Sequence, residues 1–167
     1  MTGAAAGLTE AGPGTAGGRT VVIGVGNEYR RDDGIGLEVL ARLREQAAGS
    51  VRLVVSDGDP ADLIEAWTGA SLVVIVDAIL VDPPTPGRMH RIILDQSDDA
   101  QVRPVSSHGL GLGEAIGLAQ VLDRMPDRLI IHAVEAADFG QGIGLTPAVA
   151  AAADRVTSAV LADLATS

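Results

Sequence analysis

The chain of 167 residues contains no cysteine and no lysine, and aromatic residues make up only 2% of it. The absence of cysteine excludes disulfides, thiolate metal sites and a cysteine nucleophile. With so few aromatic side chains, the core must consist of valine, isoleucine, leucine and alanine. Such a core is typical of buried parallel strands that are covered by helices.

Acidic residues outnumber basic ones, and the formal net charge at pH 7 is −10. This balance argues against nucleic acid and anionic membranes as general partners, and it favours a basic protein surface or a metal cation. No apolar run reaches the roughly 18 residues of a transmembrane helix, and the N-terminus lacks the regions of a signal peptide. We therefore expect a cytoplasmic protein with no nucleic-acid or membrane partner.

The chain divides into a predicted flexible tail, residues 1–18, and a single predicted domain, residues 19–167. The tail is rich in glycine, alanine, threonine and proline, a composition typical of disordered termini. In the remainder, apolar runs predict strands and periodic apolar positions predict helices. The predicted strands are 20–26, 51–56, 71–77, 88–94 and 127–135, and the predicted helices are 34–48, 59–67, 109–125 and 146–165.

The order of these elements, β-α-β-α-β-β-α-β-α, predicts a three-layer α/β/α sandwich around a five-stranded, mostly parallel twisted sheet. The turn at 82–87 is too short to hold a crossover helix, so the strand after it is expected to be the one antiparallel strand. Right-handed crossovers place the second and third strands on opposite sides of the first. The carboxyl ends of the first and third strands then flank a topological switch point, where open sheets bind ligands.

Acidic side chains follow three of the predicted strands. Asp32 and Asp33 come after the first strand, Asp57 comes after the second, and Asp77 ends the third. Asp32 and Asp59 are most simply cap or turn residues. Asp77 lies inside the apolar run VVIVDAI, where a carboxylate is costly unless it is paired or binds something. Because their strands flank the switch point, we expect Asp33 and Asp77 to be neighbours in space.

The three histidines lie in two kinds of context. His90 and His132 lie within predicted strands, where a lone histidine is usually a satisfied or surface residue. His108 precedes a predicted helix in the sequence SSHGLG, and a helix N-terminus keeps the imidazole neutral, as a metal ligand must be. Two carboxylates and one imidazole would suit a borderline divalent ion such as nickel, zinc or iron.

Several local signatures are absent from the chain. The sequence GVGNEY has tyrosine where a dinucleotide-binding GxGxxG needs its third glycine, and no Walker A lysine follows. The sequence also lacks GxSxG and HExxH. A phosphoacceptor receiver domain is disfavoured as well, because that family needs a lysine after its fifth strand.

The stretch GVGNEYRRDDGIG, residues 24–36, resembles the GxGNxxxxDDGxG opening of the hydrogenase maturation endopeptidases. These enzymes trim the large subunit of nickel-containing hydrogenases. Further segments agree with the family in the same order, so the resemblance runs from about Val21 to Leu164. They are DGD after the second strand, VVIVDAI in the third, SSHGLGLGEAIGLAQVL at the third helix and FGQGIGLTPAVAAA near the end.

The resemblance implies a site and a reaction. The metal-contacting residues of the family fall on Asp33, Asp77 and His108. The family is thought to use them to sense nickel that is already in the immature large subunit, and then to cut one peptide bond near that subunit's C-terminus. The nickel would belong to the substrate, and no organic cofactor is implied. The family often has Asp-Gly-Gly-Thr after the second strand, whereas this chain has Asp57-Gly58-Asp59-Pro60.

The identity of the catalytic group stays open between two interpretations. Nickel carried by the substrate could polarise the carbonyl or a water, or a carboxylate such as Asp57 could act as general base. Two other functions also fit the sequence. One is a metal-sensing chaperone that holds the same precursor without cutting it, and the other is a nucleotide-binding α/β enzyme with a degenerate glycine loop.

Overall fold

The computed structural model describes residues 19–46, 49–95 and 110–166, so the predicted tail, residues 1–18, lies outside it. Strands and helices alternate along most of the chain, and one turn of 3₁₀ helix at Arg31–Gly34 follows the first strand. The strands are β1 (Thr20–Val25), β2 (Val51–Ser56), β3 (Leu72–Ile79), β4 (Met89–Asp95) and β5 (Arg128–Glu135). The helices are α1 (Ile35–Gln46), α2 (Pro60–Trp67), α3 (Leu110–Val121) and α4 (Pro147–Ala165).

The five strands form one sheet in the order β2-β1-β3-β5-β4, and every pairing is parallel except that of β4 with β5. This confirms the predicted five-stranded, mostly parallel sheet, in which β2 and β3 flank β1. The antiparallel strand pairs with the strand that follows it in the chain, because β5 enters the sheet between β3 and β4. None of the helices in the described ranges has the length and apolarity of a membrane span.

Helices cover both faces of the sheet, and the alternation of side chains along β3 assigns each position to one face. Val73 and Ile75 belong to the core that includes residues of α2 and α3. Val74 and Val76 belong to the core that includes residues of α1 and α4. Asp77 continues the series of Val73 and Ile75, so it stands on the face that α2 and α3 cover.

The only tryptophan of the chain lies in the α2/α3 layer. Trp67 is fully buried at the end of α2, in the same core as Leu63 and Ile116. Its indole Nε1–H donates to the carbonyl oxygen of Arg124 at 3.0 Å. The largest side chain of the core is therefore both packed and satisfied in its polar group.

Two predicted element ends differ from the structure. The third strand was predicted to end at Asp77, but β3 continues to Ile79 because both residues stay in register with β5. The third helix was predicted to reach residue 125, but α3 ends at Val121. Asp123 adopts a left-handed φ of +54°, and the N–H of the next residue donates to the carbonyl of Ala119 at 2.8 Å. This arrangement terminates a helix, and it leaves Leu122 49% exposed.

Glycines bring α1 into close contact with the sheet. A Cβ on Gly24 would lie 2.5 Å from the carbonyl oxygen of Gly36. A Cβ on Gly36 would lie 2.7 Å from the carbonyl oxygen of Val76 and 2.8 Å from the nitrogen of Val25. The glycines at both ends of the GVGNEYRRDDGIG stretch therefore allow the helix backbone to approach the strand backbone.

We expect Gly36→Ala to lower the free energy of unfolding by about 1–3 kcal/mol, because the added methyl group overpacks the contact between α1 and β3. Gly117→Ala is the matched control. Gly117 is exposed on α3, and a Cβ there meets no described atom within 4 Å, so the substitution should add up to about 1 kcal/mol. Urea unfolding measures both changes. Equal stability of Gly36→Ala and the parent protein would contradict the packing argument.

Candidate active site

The loop after β1 folds back on itself above the strand end. Gly26 has a φ of +145°, and the N–H of Asn27 donates to the carbonyl of Asp33 at 3.2 Å. A Cβ on Gly26 would lie 1.8 Å from the carbonyl oxygen of Asp33 and 3.3 Å from its Oδ1. In a dinucleotide-binding loop the second glycine lets the backbone approach the pyrophosphate, whereas here the main chain and the carboxylate of Asp33 lie beside Gly26.

Asp32 is a structural residue, but its partners lie in the distant loop after β5 and not in the cap or turn that the sequence predicted. It is fully buried, and its Oδ2 accepts the N–H groups of Ala137 and Asp138 at 2.8 and 3.1 Å. Its Oδ1 accepts the N–H of Thr146 at 2.8 Å, and the Thr146 hydroxyl also donates to the carboxylate. Thr146 is the N-cap residue of α4, but its hydroxyl makes no capping bond. The loop between β5 and α4 is therefore held to the turn after β1.

The two arginines of the loop make contacts within the chain. The guanidinium of Arg30 lies 5.8 Å from the ring centroid of Phe139. Arg31 has a left-handed φ of +50°, and its N–H donates to the carbonyl of Gly142 at 3.0 Å. A Cβ on Gly142 would lie 2.8 Å from the guanidinium carbon of Arg31. Both arginines thus pack against the loop that Asp32 fixes.

The structure brings Asp33 and Asp77 together at the switch point between β1 and β3. Their exposed fractions are 3% and 4%. Burial raises the pKa of Asp77 to about 8, and the nearby charge of Asp33 adds to this, while the N–H of Ala78 opposes it. The Oδ1 of Asp77 has no hydrogen-bond partner among the described residues. Two buried carboxyls in one place disfavour each other's charge, which a cation between them would relieve.

The other two predicted site residues have different outcomes. His108 lies outside the described residues, and within those residues no group of three or more histidine, aspartate or glutamate side chains could hold a metal ion. Asp57 is exposed at the end of β2, and its Oδ1 accepts the N–H of Asp59 at 3.0 Å. Asp59 in turn caps α2 through the N–H groups of Ala61 and Asp62. The metal role of Asp33, Asp77 and His108 and the catalytic role of Asp57 stay predictions.

His132 is a core histidine with one paired nitrogen, and its Nδ1 has no hydrogen-bond partner among the described residues. It is fully buried, its Nε2 lies 2.7 Å from Oδ2 of Asp163, and burial lowers the pKa of its imidazole. Arg91 bonds the other carboxylate oxygen at 2.5 Å. Although burial opposes it, the bonds from Arg91 and His132 lower the pKa of Asp163. These residues join β4, β5 and α4 on the face of the sheet opposite to Asp77.

Sequence reasoning missed Glu135, which lies at the end of the apolar run LIIHAVE and is only 3% exposed. Its Oε2 is 2.7 Å from Nε2 of His90. The signal that singled out Asp77, a carboxylate within an apolar strand, was present in this run as well.

Comparison with known proteins gives consistent matches. The sequence profile of a family described as hydrogenase maturation protease matches residues 37–163. The hydrogenase 2 maturation protease of Escherichia coli strain K12 is 29% identical over 149 residues, which cover 87% of this chain and 90% of that protein.

Solved structures show the same architecture. The hydrogenase maturating endopeptidase HybD from E. coli has a TM-score of 0.76 at 25% identity, covering 89% of this chain and 93% of that one. The [NiFe] hydrogenase maturation protease HybD from Thermococcus kodakarensis has a TM-score of 0.67 at 24% identity, covering 85% and 96%. Because its identity is below 25%, this second match shows a shared fold alone.

We expect Asp32→Ala to lower the free energy of unfolding by at least about 3 kcal/mol, because three backbone N–H groups lose their acceptor. Thr146→Ala removes only the hydroxyl donor and should cost about 1 kcal/mol. Chemical unfolding of both variants measures the difference. A loss of similar size in the two variants would show that Asp32 is not the centre of this network.

We expect Asp77→Asn to stabilise the fold increasingly as pH rises. The folded protein holds the Asp77 proton up to about pH 8, whereas the unfolded chain releases it near the ordinary pKa of 3.8. The parent protein therefore loses stability as pH rises between these values, and the asparagine variant is spared this loss. Thermal unfolding across this range measures the difference in Tm. Glu65→Gln, at an exposed position of α2, is the control, and a constant difference for Asp77→Asn would contradict the expectation.

Proposed function

The chain belongs to the hydrogenase maturation protease family, and we propose that it removes a C-terminal peptide from the nickel-loaded precursor of a [NiFe] hydrogenase large subunit. The observation that carries this proposal is the buried pair Asp33 and Asp77 at the switch point of the sheet. Its cytoplasmic location stays a prediction.

The carboxyl pair supports a role in sensing a cation. With a pKa of about 8, Asp77 holds a proton at neutral pH, and a divalent cation brought to the pair would displace that proton and favour both charges. Carboxylate and imidazole are ligands that suit nickel. Two carboxylates are too few to form a structural metal cage. We therefore assign the nickel to the substrate, so that the precursor presents it and the enzyme recognises it.

We propose His108 as the third contact to the nickel of the precursor. The helix α3 begins two residues after it and covers the face on which Asp77 stands. A Cβ on Gly111 would lie 2.2 Å from the carbonyl oxygen of Gly58, and a Cβ on Gly58 would lie 3.5 Å from the side chain of Val25. The first turn of α3 is thus held beside the carboxyl ends of β1 and β2. Two residues span up to about 7 Å, and this short separation in the chain supports the proposal.

We propose that the peptide bond is cut by direct attack of water, since the chain has no cysteine and no serine elbow. Water adds to the carbonyl carbon, and the bond between that carbon and the amide nitrogen then breaks. The nickel of the substrate can polarise the carbonyl. Asp57 can orient the water from the neighbouring strand end, because only its Oδ1 is engaged in a described hydrogen bond.

Asp77→Asn and His108→Ala are expected to abolish cleavage of the nickel-loaded precursor, because each removes one contact to the nickel of the precursor. Mass spectrometry of the precursor after incubation detects the new C-terminus. Asp59→Asn is the matched control, since asparagine caps a helix as well as aspartate does, and this variant should cleave like the parent protein.

The same measurement separates the other functions. Binding of the precursor without a new C-terminus would favour a metal-sensing chaperone. Saturable binding of NAD or ATP in calorimetry would favour a nucleotide-binding enzyme. The contact of Gly26 with Asp33 in the glycine loop argues against this outcome. Normal cleavage by both Asp77→Asn and His108→Ala would overturn the nickel-sensing site.

A further inference from the structure

Glu135 is a buried carboxylate at the carboxyl end of β5 whose contacts hold the imidazole of His90. Its Oε2 lies 2.7 Å from Nε2 of His90, and its Oε1 accepts the N–H of Thr85 at 2.9 Å. The guanidinium of Arg88 approaches Oε2 at 3.9 Å. Hydrogen bonds from Thr85 and His90 lower the pKa of Glu135, so its carboxylate accepts the hydrogen bond from Nε2–H of His90. Nδ1 of His90 is then left as the basic nitrogen.

His90 is the accessible member of this pair. Its side chain is 37% exposed, whereas that of Glu135 is 4% exposed. No described residue forms a hydrogen bond with Nδ1 of His90. An accessible base that is oriented by a buried carboxylate is the arrangement that proton transfer requires.

The register of the sheet places His90 beside the candidate active site. Asp77 pairs with Ala133 of β5, and Ala133 pairs with His90 of β4. The three positions therefore lie in one row across the sheet and on one face, with Asp77 and His90 about 10 Å apart between their Cα atoms. The small side chain of Ala133 lies between them. Ala133 is only 3% exposed, so a peptide would approach this row from the carboxyl ends of β3 and β5, with Asp77 on one side and His90 on the other.

We propose that His90, oriented by Glu135, is a further catalytic residue, the proton carrier of the peptide cleavage. The inference rests on the function proposed above, and it replaces Asp57 as the group that acts on the water, because β1, β3 and β5 separate the end of β2 from β4. Nδ1 of His90 takes one proton from water as its oxygen bonds to the carbonyl carbon. When the bond between carbon and nitrogen breaks, the same proton passes to the leaving nitrogen. One water is consumed, a carboxylic acid and an amine are formed, and His90 returns to its neutral state.

A purely structural role for the pair is the competing explanation. Glu135 also fixes the turn between β3 and β4, since its carbonyl accepts the N–H of Gly87 at 2.8 Å and its N–H donates to the carbonyl of Arg88 at 2.8 Å. His90→Gln separates the two explanations, because the glutamine amide can still donate to Glu135 but has no basic nitrogen. His90→Ala leaves a space that free imidazole can fill.

The test measures single-turnover cleavage of the nickel-loaded precursor, together with precursor affinity and Tm. We expect His90→Gln to cleave about 100-fold more slowly or worse, with affinity and Tm close to those of the parent protein. Added imidazole should restore part of the rate of His90→Ala. Arg52→Gln is the control, since Arg52 is exposed on β2, at the opposite edge of the sheet from His90, and it should keep the parental rate.

Each other outcome overturns the proposal. Cleavage by His90→Gln within about threefold of the parental rate would remove His90 from the reaction, because proton transfer contributes far more than this. A rate that falls only in proportion to affinity or Tm, with no rescue by imidazole, would assign the pair a structural role. If the parent protein itself leaves the loaded precursor uncut while His90 and Glu135 are intact, the proposed function fails first.

Discussion

The carboxylate of Asp32 accepts three backbone N–H groups from the loop between β5 and α4, and the geometry of the candidate site depends on this contact. The next residue along the chain, Asp33, belongs to the carboxyl pair of the candidate site. The hydrogen bonds that hold Asp32 therefore also fix the direction in which the side chain of Asp33 projects. The two adjacent aspartates have opposite surroundings. The carboxylate of Asp32 accepts several hydrogen bonds, whereas that of Asp33 lies near the carboxyl of Asp77.

The sheet separates the groups that stabilise the fold from the groups proposed to do chemistry. On the α1/α4 side, buried charges are matched, as in the bonds of Asp163 with Arg91 and His132. On the α2/α3 side, Asp77 stays uncompensated until a cation or a proton reaches it. An unpaired buried carboxyl costs stability, and its presence at a switch point between strands is the kind of local conflict expected at a functional site.

The architecture could be predicted from the sequence because apolar runs, short turns and right-handed crossovers leave few alternatives. Val51–Ser56 and the cap of α2 at Asp59 were predicted as the structure has them. The end of α3 was not, since a left-handed aspartate at position 123 gives no distinct sequence signal. The proximity of Asp33 and Asp77 could be predicted from the topology of the sheet. The pairing of His90 with Glu135 could not, because it depends on the insertion of β5 between β3 and β4, which brings two distant segments into register.

The burial of Trp67 has a consequence for how this molecule can be observed. It is the single indole of the chain, and it packs in the layer between α2 and α3 against the face of the sheet that carries Asp77. Intrinsic fluorescence excited at the indole band thus arises from one place, and the opposite layer contributes none of it. An optical change on adding a metal ion would report on the layer of the candidate site alone, without any attached dye.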